Sequence, residues 1–147
     1  MTSRVRGRPR APKRHEQGVL DTSTLIHLGR MEDASALPDE PLISTVTLAE
    51  LSVGPLVATD ARERAARQAH LQQAETDFEP LPFDAAAARA FGRVAASLRR
   101  NGRKPAARAY DAMIAAIALS RGLPVYTCNP GDFAAVEGLE VVPVEVP

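Results

Sequence analysis

Apolar residues in this chain come in short blocks, and the spacing within each block separates strands from helices. Consecutive apolar residues bounded by turn formers read as buried strands, whereas recurrence every three or four positions reads as one face of a helix. Residues 1 to 17 show neither spacing and are rich in Arg, Pro and Gly, so they are expected to form a flexible basic arm, with the fold starting at Gly18. Gly18-Val-Leu-Asp predicts a first short strand, and Ser23-Thr-Leu-Ile-His-Leu-Gly a short helix stopped at Gly29. After a loop bracketed by Pro38 and Pro41, Leu42-Ile-Ser-Thr predicts a second strand, and Thr47 to Val53 a helix that Gly54-Pro55 ends or kinks. The alanine-rich, charged pattern from Asp60 to about Ala74 predicts an exposed helix. Phe78 to Phe83, which carries Pro80 and Pro82, predicts an edge-like third strand.

Asp84 is placed to cap the next helix, in which Phe91, Val94, Ala95 and Leu98 share one face and Arg89, Arg93 and Arg100 the opposite one; Asn101-Gly102 ends it. Asp111 then opens Ala-Met-Ile-Ala-Ala-Ile-Ala-Leu-Ser-Arg-Gly, apolar almost all round, which predicts a central buried helix with a glycine C-cap at Gly122. Pro124-Val-Tyr-Thr predicts a fourth strand and Glu140 to Val144 a fifth. Strands alternating with helices imply an α/β fold. The expectation is a single domain over residues 18–147, three-layered α/β/α, with a central, mostly parallel sheet of four to five short strands.

Composition narrows the class. At 147 residues and 45% hydrophobic content the chain can build one domain with a real core. No apolar run approaches the ~18 residues needed to cross a bilayer, and the basic start lacks the apolar stretch of a secretory signal. A soluble cytoplasmic protein without membrane association is expected. Cys128 is the single cysteine, which excludes an intrachain disulfide and a thiolate metal cluster, so a metal would need oxygen ligands.

The formal net charge of zero hides an uneven distribution. Arg4, Arg6, Arg8, Arg10, Lys13 and Arg14 face Glu16 alone, which puts +5 on the arm and leaves −5 for the rest. Ala85 to Tyr110 carries Arg89, Arg93, Arg99, Arg100, Arg103, Lys104 and Arg108 with no acid, and reads either as solvated surface or as a place to receive phosphates.

Four carboxylates set in apolar or turn-forming sequence change the picture most. On the strand–helix map Asp21 ends the first strand, Glu50 lies in the helix after the second, Asp111 starts the buried helix, and Asp132 lies in the loop after the fourth strand. An isolated ionised carboxylate is costly to take out of water, so such acids usually have a partner or a cation. In open parallel sheets ligands collect beyond the carboxyl ends of the strands, where these acids would converge. Magnesium and manganese prefer hard oxygen ligands and keep several waters, which leaves positions for a phosphate and an attacking water. Each acid also has a structural alternative. Asp21 and Asp111 suit N-caps, Thr47 to Glu50 fits a Ser/Thr-x-x-Glu capping box, and Asp132 after Pro-Gly suits a turn. Capping does not explain an acid at the end of a buried strand or at the head of the most apolar helix.

Four segments in order carry a resemblance: Val-Leu-Asp-Thr-Ser-Thr-Leu-Ile around Asp21, Ile-Ser-Thr-Val-Thr-Leu-Ala-Glu-Leu-Ser-Val-Gly around Glu50, Tyr-Asp-Ala-Met-Ile-Ala-Ala-Ile-Ala-Leu-Ser-Arg-Gly-Leu-Pro-Val from Tyr110, and Thr-Cys-Asn-Pro-Gly-Asp-Phe around Asp132. With Pro82 to Asp84 between the second and third, they resemble the successive motifs of PIN-domain ribonucleases, in particular VapC-type toxins of bacterial toxin–antitoxin pairs, from about Gly18 to Val144. The resemblance implies a metal-dependent endoribonuclease in which Asp21, Glu50, Asp111 and Asp132 bind one or two Mg²⁺ or Mn²⁺ ions, Asp132 holding the family's most variable position. It also implies a small VapB-type antitoxin whose C-terminal segment blocks the acidic site, and a homodimer that joins the antitoxin in a larger complex. Thr22 or Ser23 and Thr127 or Asn129 would orient waters or phosphate oxygens. Arg89, Arg93, Arg100, Arg103, Lys104 and Arg108 are candidates, from charge alone, for RNA-phosphate contacts. No histidine is required, and His15, His27 and His70 are assigned structural or solvated roles.

Two other readings stay open on sequence. Asp21-Thr-Ser-Thr after a strand partly resembles the nucleophile loop of aspartate-dependent phosphatases, although Ser23 stands where a second acid is expected there. A non-enzymatic nucleic-acid-binding or regulatory module would use the basic arm and leave the acids idle.

Overall fold

The computed structural model describes residues 15–31 and 34–146. Four short strands, β1 (Gln17–Leu20), β2 (Glu40–Leu42), β3 (Val125–Thr127) and β4 (Val141–Pro143), make one parallel sheet in the order β2-β1-β3-β4. Val19 pairs with Leu42 on one side and Val125 on the other, and Val125 pairs with Val141. Parallel neighbours need crossovers. These are α1 (Thr22–His27) between β1 and β2, and α2 (Thr45–Val57), α3 (Ala61–Asp77), α4 (Ala85–Arg100) and α5 (Ala109–Ser120) between β2 and β3.

β1 and β3 are the inner strands, and Val19, Leu20 and Val125 are fully buried, as the apolar run of a strand covered on both faces requires. Alternation along the pleat sends Val19 and Val125 toward α4 and α5, and Leu20 and Tyr126 toward Leu25 of α1, Leu51 of α2 and Ile43 just after β2. The result is the expected three layers. On one face lies α5, with Ala112 and the run from Ile114 to Ala118 buried, backed by the Ala87, Ala90, Val94 and Leu98 face of α4. Gly122 follows α5 with φ of 67°, a left-handed position that Gly adopts without strain, and Leu123 N–H closes the turn on Ala118 O at 2.9 Å.

Four local expectations change. The second strand spans Glu40–Leu42 and ends where it was expected to begin, because Ser44 and Thr45 already cap and open α2. The sheet has four strands: the segment from Phe78 to Phe83 forms only a bridge between Leu81 and Ser44, through Leu81 N–H to Ile43 O and Thr45 N–H to Leu81 O, both 2.9 Å. Pro80 and Pro82 flank Leu81 and have no N–H to extend the ladder. Gly54-Pro55 does not stop α2, which runs to Val57. Pro55 falls in the last turn, and α3 supplies donors to the exposed carbonyls, Arg67 Nη1 to Gly54 O at 2.9 Å and Arg64 Nε to Pro55 O at 3.3 Å. Finally, α1 gives way at Leu28 to a short 3₁₀ turn over Leu28–Arg30, so Gly29 lies within that turn.

Residues 1–14 of the expected arm lie outside the described residues. Its last residues engage the domain: Gln17 opens β1, while His15 Nε2 lies 2.7 Å from Glu140 Oε2 and its ring meets Tyr126 edge-on. Among the described residues no helix is long and apolar enough to cross a membrane.

Candidate active site

Asp21 directly follows β1 at the carboxyl end of the sheet, and its N–H bonds Tyr126 O at 3.2 Å, which fixes it beside the end of β3. It is only 4% exposed and well supplied with donors. Oδ1 accepts the Thr24 N–H at 3.1 Å, so Asp21 does cap α1. Oδ2 accepts the Thr127 hydroxyl at 2.7 Å, a bond across the sheet that no cap needs. Thr127 Oγ1 in turn accepts Asn129 N–H at 2.9 Å, and Asn129 Nδ2 donates to Ser23 Oγ at 3.2 Å. All four hydroxyl and amide residues flagged from the sequence thus stand around the acids, joined by Thr24 and Thr47.

Glu50 is half-buried on α2. The cap of that helix is Ser44, whose Oγ accepts Thr47 N–H at 3.2 Å, so the Thr47–Glu50 capping box does not form. Thr47 and Thr22 hydroxyls instead meet at 2.9 Å, and Thr22 donates to Glu50 Oε1 at 2.6 Å. Burial pushes the Glu50 carboxyl up, the Thr22 hydrogen bond opposes that, and the nearby Asp21 charge adds to it.

Asp111 lies in the first turn of α5, but the residue at the cap position is Arg108, so capping does not account for Asp111 either. Its carboxyl is pushed up to about 6, first by burial, then by the charges of Asp132, Asp21 and Glu50, with Arg108 pulling the other way. Acids spread over residues 21 to 132 therefore act on one another in a single electrostatic site. Asp132 reaches it from a short 3₁₀ turn after β3, where its Oδ1 sits 2.7 Å from Arg108 Nη1. A cavity of about 400 Å³ opens beside the acids, lined by Glu50, Ala106, Arg108, Ala109, Tyr110 and Asp111.

The basic candidates divide. Arg121, just beyond α5, lies 3.8 Å from Asp84 at the start of α4, so the two helices run antiparallel. Arg100, Arg103 and Lys104 are consequently at the Asp111 end, and Arg89 lies about 16 Å further along α4 at 1.5 Å per residue, with Arg93 between. Arg100 is paired with Glu137 at 2.8 Å on the surface. Arg108 is in the site itself, paired with Asp132 across 24 residues and lining the cavity with Asp111.

Oxygen donors of this type and charge fit a hard divalent ion. Among the described residues, no three acidic or histidine side chains stand close enough together, as placed, to hold one. Asp21 is turned to Thr24 and Thr127, Glu50 to Thr22, and Asp132 to Arg108.

Residues 18–139 match the family model of the PIN domain. The chain belongs to the PIN-domain family. Over 129 residues this PIN domain is 44% identical to Ribonuclease VapC5 of Mycobacterium tuberculosis, covering 86% of this chain and 93% of that one. It is 38% identical over 97 residues to the tRNA(fMet)-specific endonuclease VapC of Shigella flexneri, covering 66% of this chain and 70% of the relative. Among solved structures, it superposes with a TM-score of 0.76 and 42% identity on a chain of VapBC-5 from Mycobacterium tuberculosis, described as a member of the VapBC family of toxin–antitoxin systems. That match covers 88% of this chain and 99% of the other.

Proposed function

We propose that this PIN domain is a metal-dependent endoribonuclease, the toxin of a VapBC-type pair, that hydrolyses RNA phosphodiester bonds at the Asp21, Glu50, Asp111 and Asp132 site. The observation that most supports the reading is that burial and the charges of Asp132, Asp21 and Glu50 all push the Asp111 carboxyl up beside a cavity that Asp111 and Glu50 line. Relatives named as ribonucleases, one of them specific for a tRNA, support RNA as the substrate.

A bound Mg²⁺ or Mn²⁺ would supply Lewis-acid stabilisation of the developing phosphate charge and a more acidic water. The chain supplies positioning. Asp21 is fixed by the Thr24 N–H on Oδ1 and the Thr127 hydroxyl on Oδ2, with the Ser23 hydroxyl 3.5 Å from both, so its direction is set before substrate arrives. The Thr47–Thr22–Glu50 relay fixes Oε1 of Glu50, leaving Oε2 as the atom to accept a proton from an attacking water, a role favoured by its raised proton affinity. Asp111 at the cavity wall would bind the ion, with Asp132 as the fourth ligand. A phosphoaspartate route through Asp21 is disfavoured, because both its oxygens already accept hydrogen bonds and 96% of its surface is covered, as its 4% exposure implies.

The same reading gives the protein a small VapB-type antitoxin that places a basic segment over the acids, and a homodimeric state. Solved VapBC complexes support the first. The decisive experiment is cleavage of cellular RNA by purified protein with Mg²⁺ or Mn²⁺ and with chelator, followed by mapping of fragment 5′ ends. Asp21→Ala and Asp111→Ala, each checked for native circular dichroism, should lose metal-stimulated cleavage; full activity in either folded variant sinks the site.

A further inference from the structure

Arg108 forms the only ion pair between a basic residue and one of the four acids among the described residues. Its Nη1 is 2.7 Å from Asp132 Oδ1, and both side chains are about one-third exposed, at 32% and 38%. No other hydrogen bond among the described residues holds its guanidinium. The residue sits at the last position of the 3₁₀ turn Pro105–Arg108, immediately before α5, and it lines the same cavity as Asp111 and Glu50.

We propose that Arg108 is a two-position residue of the nuclease site: it neutralises Asp132 while the site lacks a divalent ion, and transfers its guanidinium to an RNA phosphate once an ion has taken Asp132. The inference rests on the nuclease reading of the same site. Its physical basis is competition for one oxygen. A carboxylate bonded to a guanidinium at 2.7 Å cannot give the same lone pair to a cation, and two positive groups on one carboxylate repel. Asp111 feels the charges of Asp132, Asp21 and Glu50, and Arg108 is the positive charge that opposes them. Release leaves the guanidinium at the cavity wall beside Asp111, where a scissile phosphate would lie, and its planar fork suits phosphate oxygens.

This geometry gives one substitution opposite effects on two observables. In calorimetric titration of the full chain with Mn²⁺, Arg108→Gln should bind the ion about tenfold more tightly than wild type, the weight of one charged hydrogen bond. In RNA cleavage at saturating Mn²⁺, the same variant should show KM raised about tenfold or more and a salt slope of RNA binding reduced by about one. In an Asp132→Asn background, Arg108→Gln should no longer change Mn²⁺ affinity by more than about twofold, as coupled partners require. Arg108→Lys, which keeps the charge, should stay near wild type in Mn²⁺ affinity and guards against misfolding of the glutamine variant. Unchanged or weaker Mn²⁺ binding in folded Arg108→Gln overturns the competition, an unchanged KM overturns the transfer to RNA, and an effect that persists in Asp132→Asn reduces Arg108 to a diffuse field. Wild-type protein that binds no Mn²⁺ and cuts no RNA would instead remove the nuclease reading.

Discussion

At Asp111 three neighbouring carboxylates and partial burial all favour the neutral acid, and only Arg108 opposes them. The folded carboxyl titrates at about 6 against 3.8 for the free group, so between those values the folded chain holds a proton that the unfolded chain has released. Folding stability through this residue is therefore greatest below about pH 4 and falls as pH rises to about 6, beyond which the loss is complete. Asparagine at this position removes the charge while keeping the shape. In chelator, Asp111→Asn should match wild type in urea midpoint near pH 4 and exceed it at about pH 7, by about 1 kcal/mol once solvent screening of this partly exposed group is allowed for. A constant difference across the range would show that Asp111 does not carry the repulsion. Substitution thus separates two effects: the variant expected to be more stable without metal is, under the proposed function, also expected to lose cleavage.

The strands that hold the acids depend on close contact between elements, and Gly18 is the tightest point. A Cβ there would run into ring carbons of Tyr126 on β3, with Pro38 Cγ 3.3 Å away on the other side. Tyr126 is buried and cannot swing out, so Gly18→Ala should cost about 1–3 kcal/mol, read as a lower urea midpoint. The same contact explains why Gly stands second in β1, ahead of the apolar Val19 and Leu20. What the sequence disclosed of the elements follows from how local each cause is. The periods of α4 and α5, the caps at Asp84 and Gly122, and the apolar runs of β1 and β3 are set within one turn or one strand, and all were legible. The end of α2 was not, because the arginines that satisfy its last carbonyls come from α3. Thr47 was the expected cap of α2, but Ser44 takes that place and the Thr47 hydroxyl meets Thr22 instead. Likewise, all four acids could be picked out one by one, but the bonds that orient them, Thr127 to Asp21 and Arg108 to Asp132, span 106 and 24 residues and leave no local trace.

Across the whole molecule, the sheet gathers acids from four separate segments, after β1, on α2, at the head of α5 and after β3, at one end of the domain. An ion shared among them would tie chain from residue 21 to residue 132, so binding energy becomes folding energy for the entire domain rather than for one loop. At a free Mn²⁺ concentration about a hundred times its Kd, the linkage is about 2.7 kcal/mol. For a domain of this size that corresponds to a rise in Tm of about 5–10 °C. Protons compete with the ion at Asp111, so the rise should be largest at about pH 7.5 and shrink toward about pH 5, opposite in direction to the metal-free pH dependence of the same residue. Asp21→Ala and Asp111→Asn should each suppress it, while Arg93, exposed on α4 away from the acids, offers a neutral control as Arg93→Gln. Differential scanning calorimetry with and without Mn²⁺ reads all of these. A wild-type Tm insensitive to Mn²⁺, or a rise that survives loss of both acids, would mean that the carboxylates do not bind an ion together.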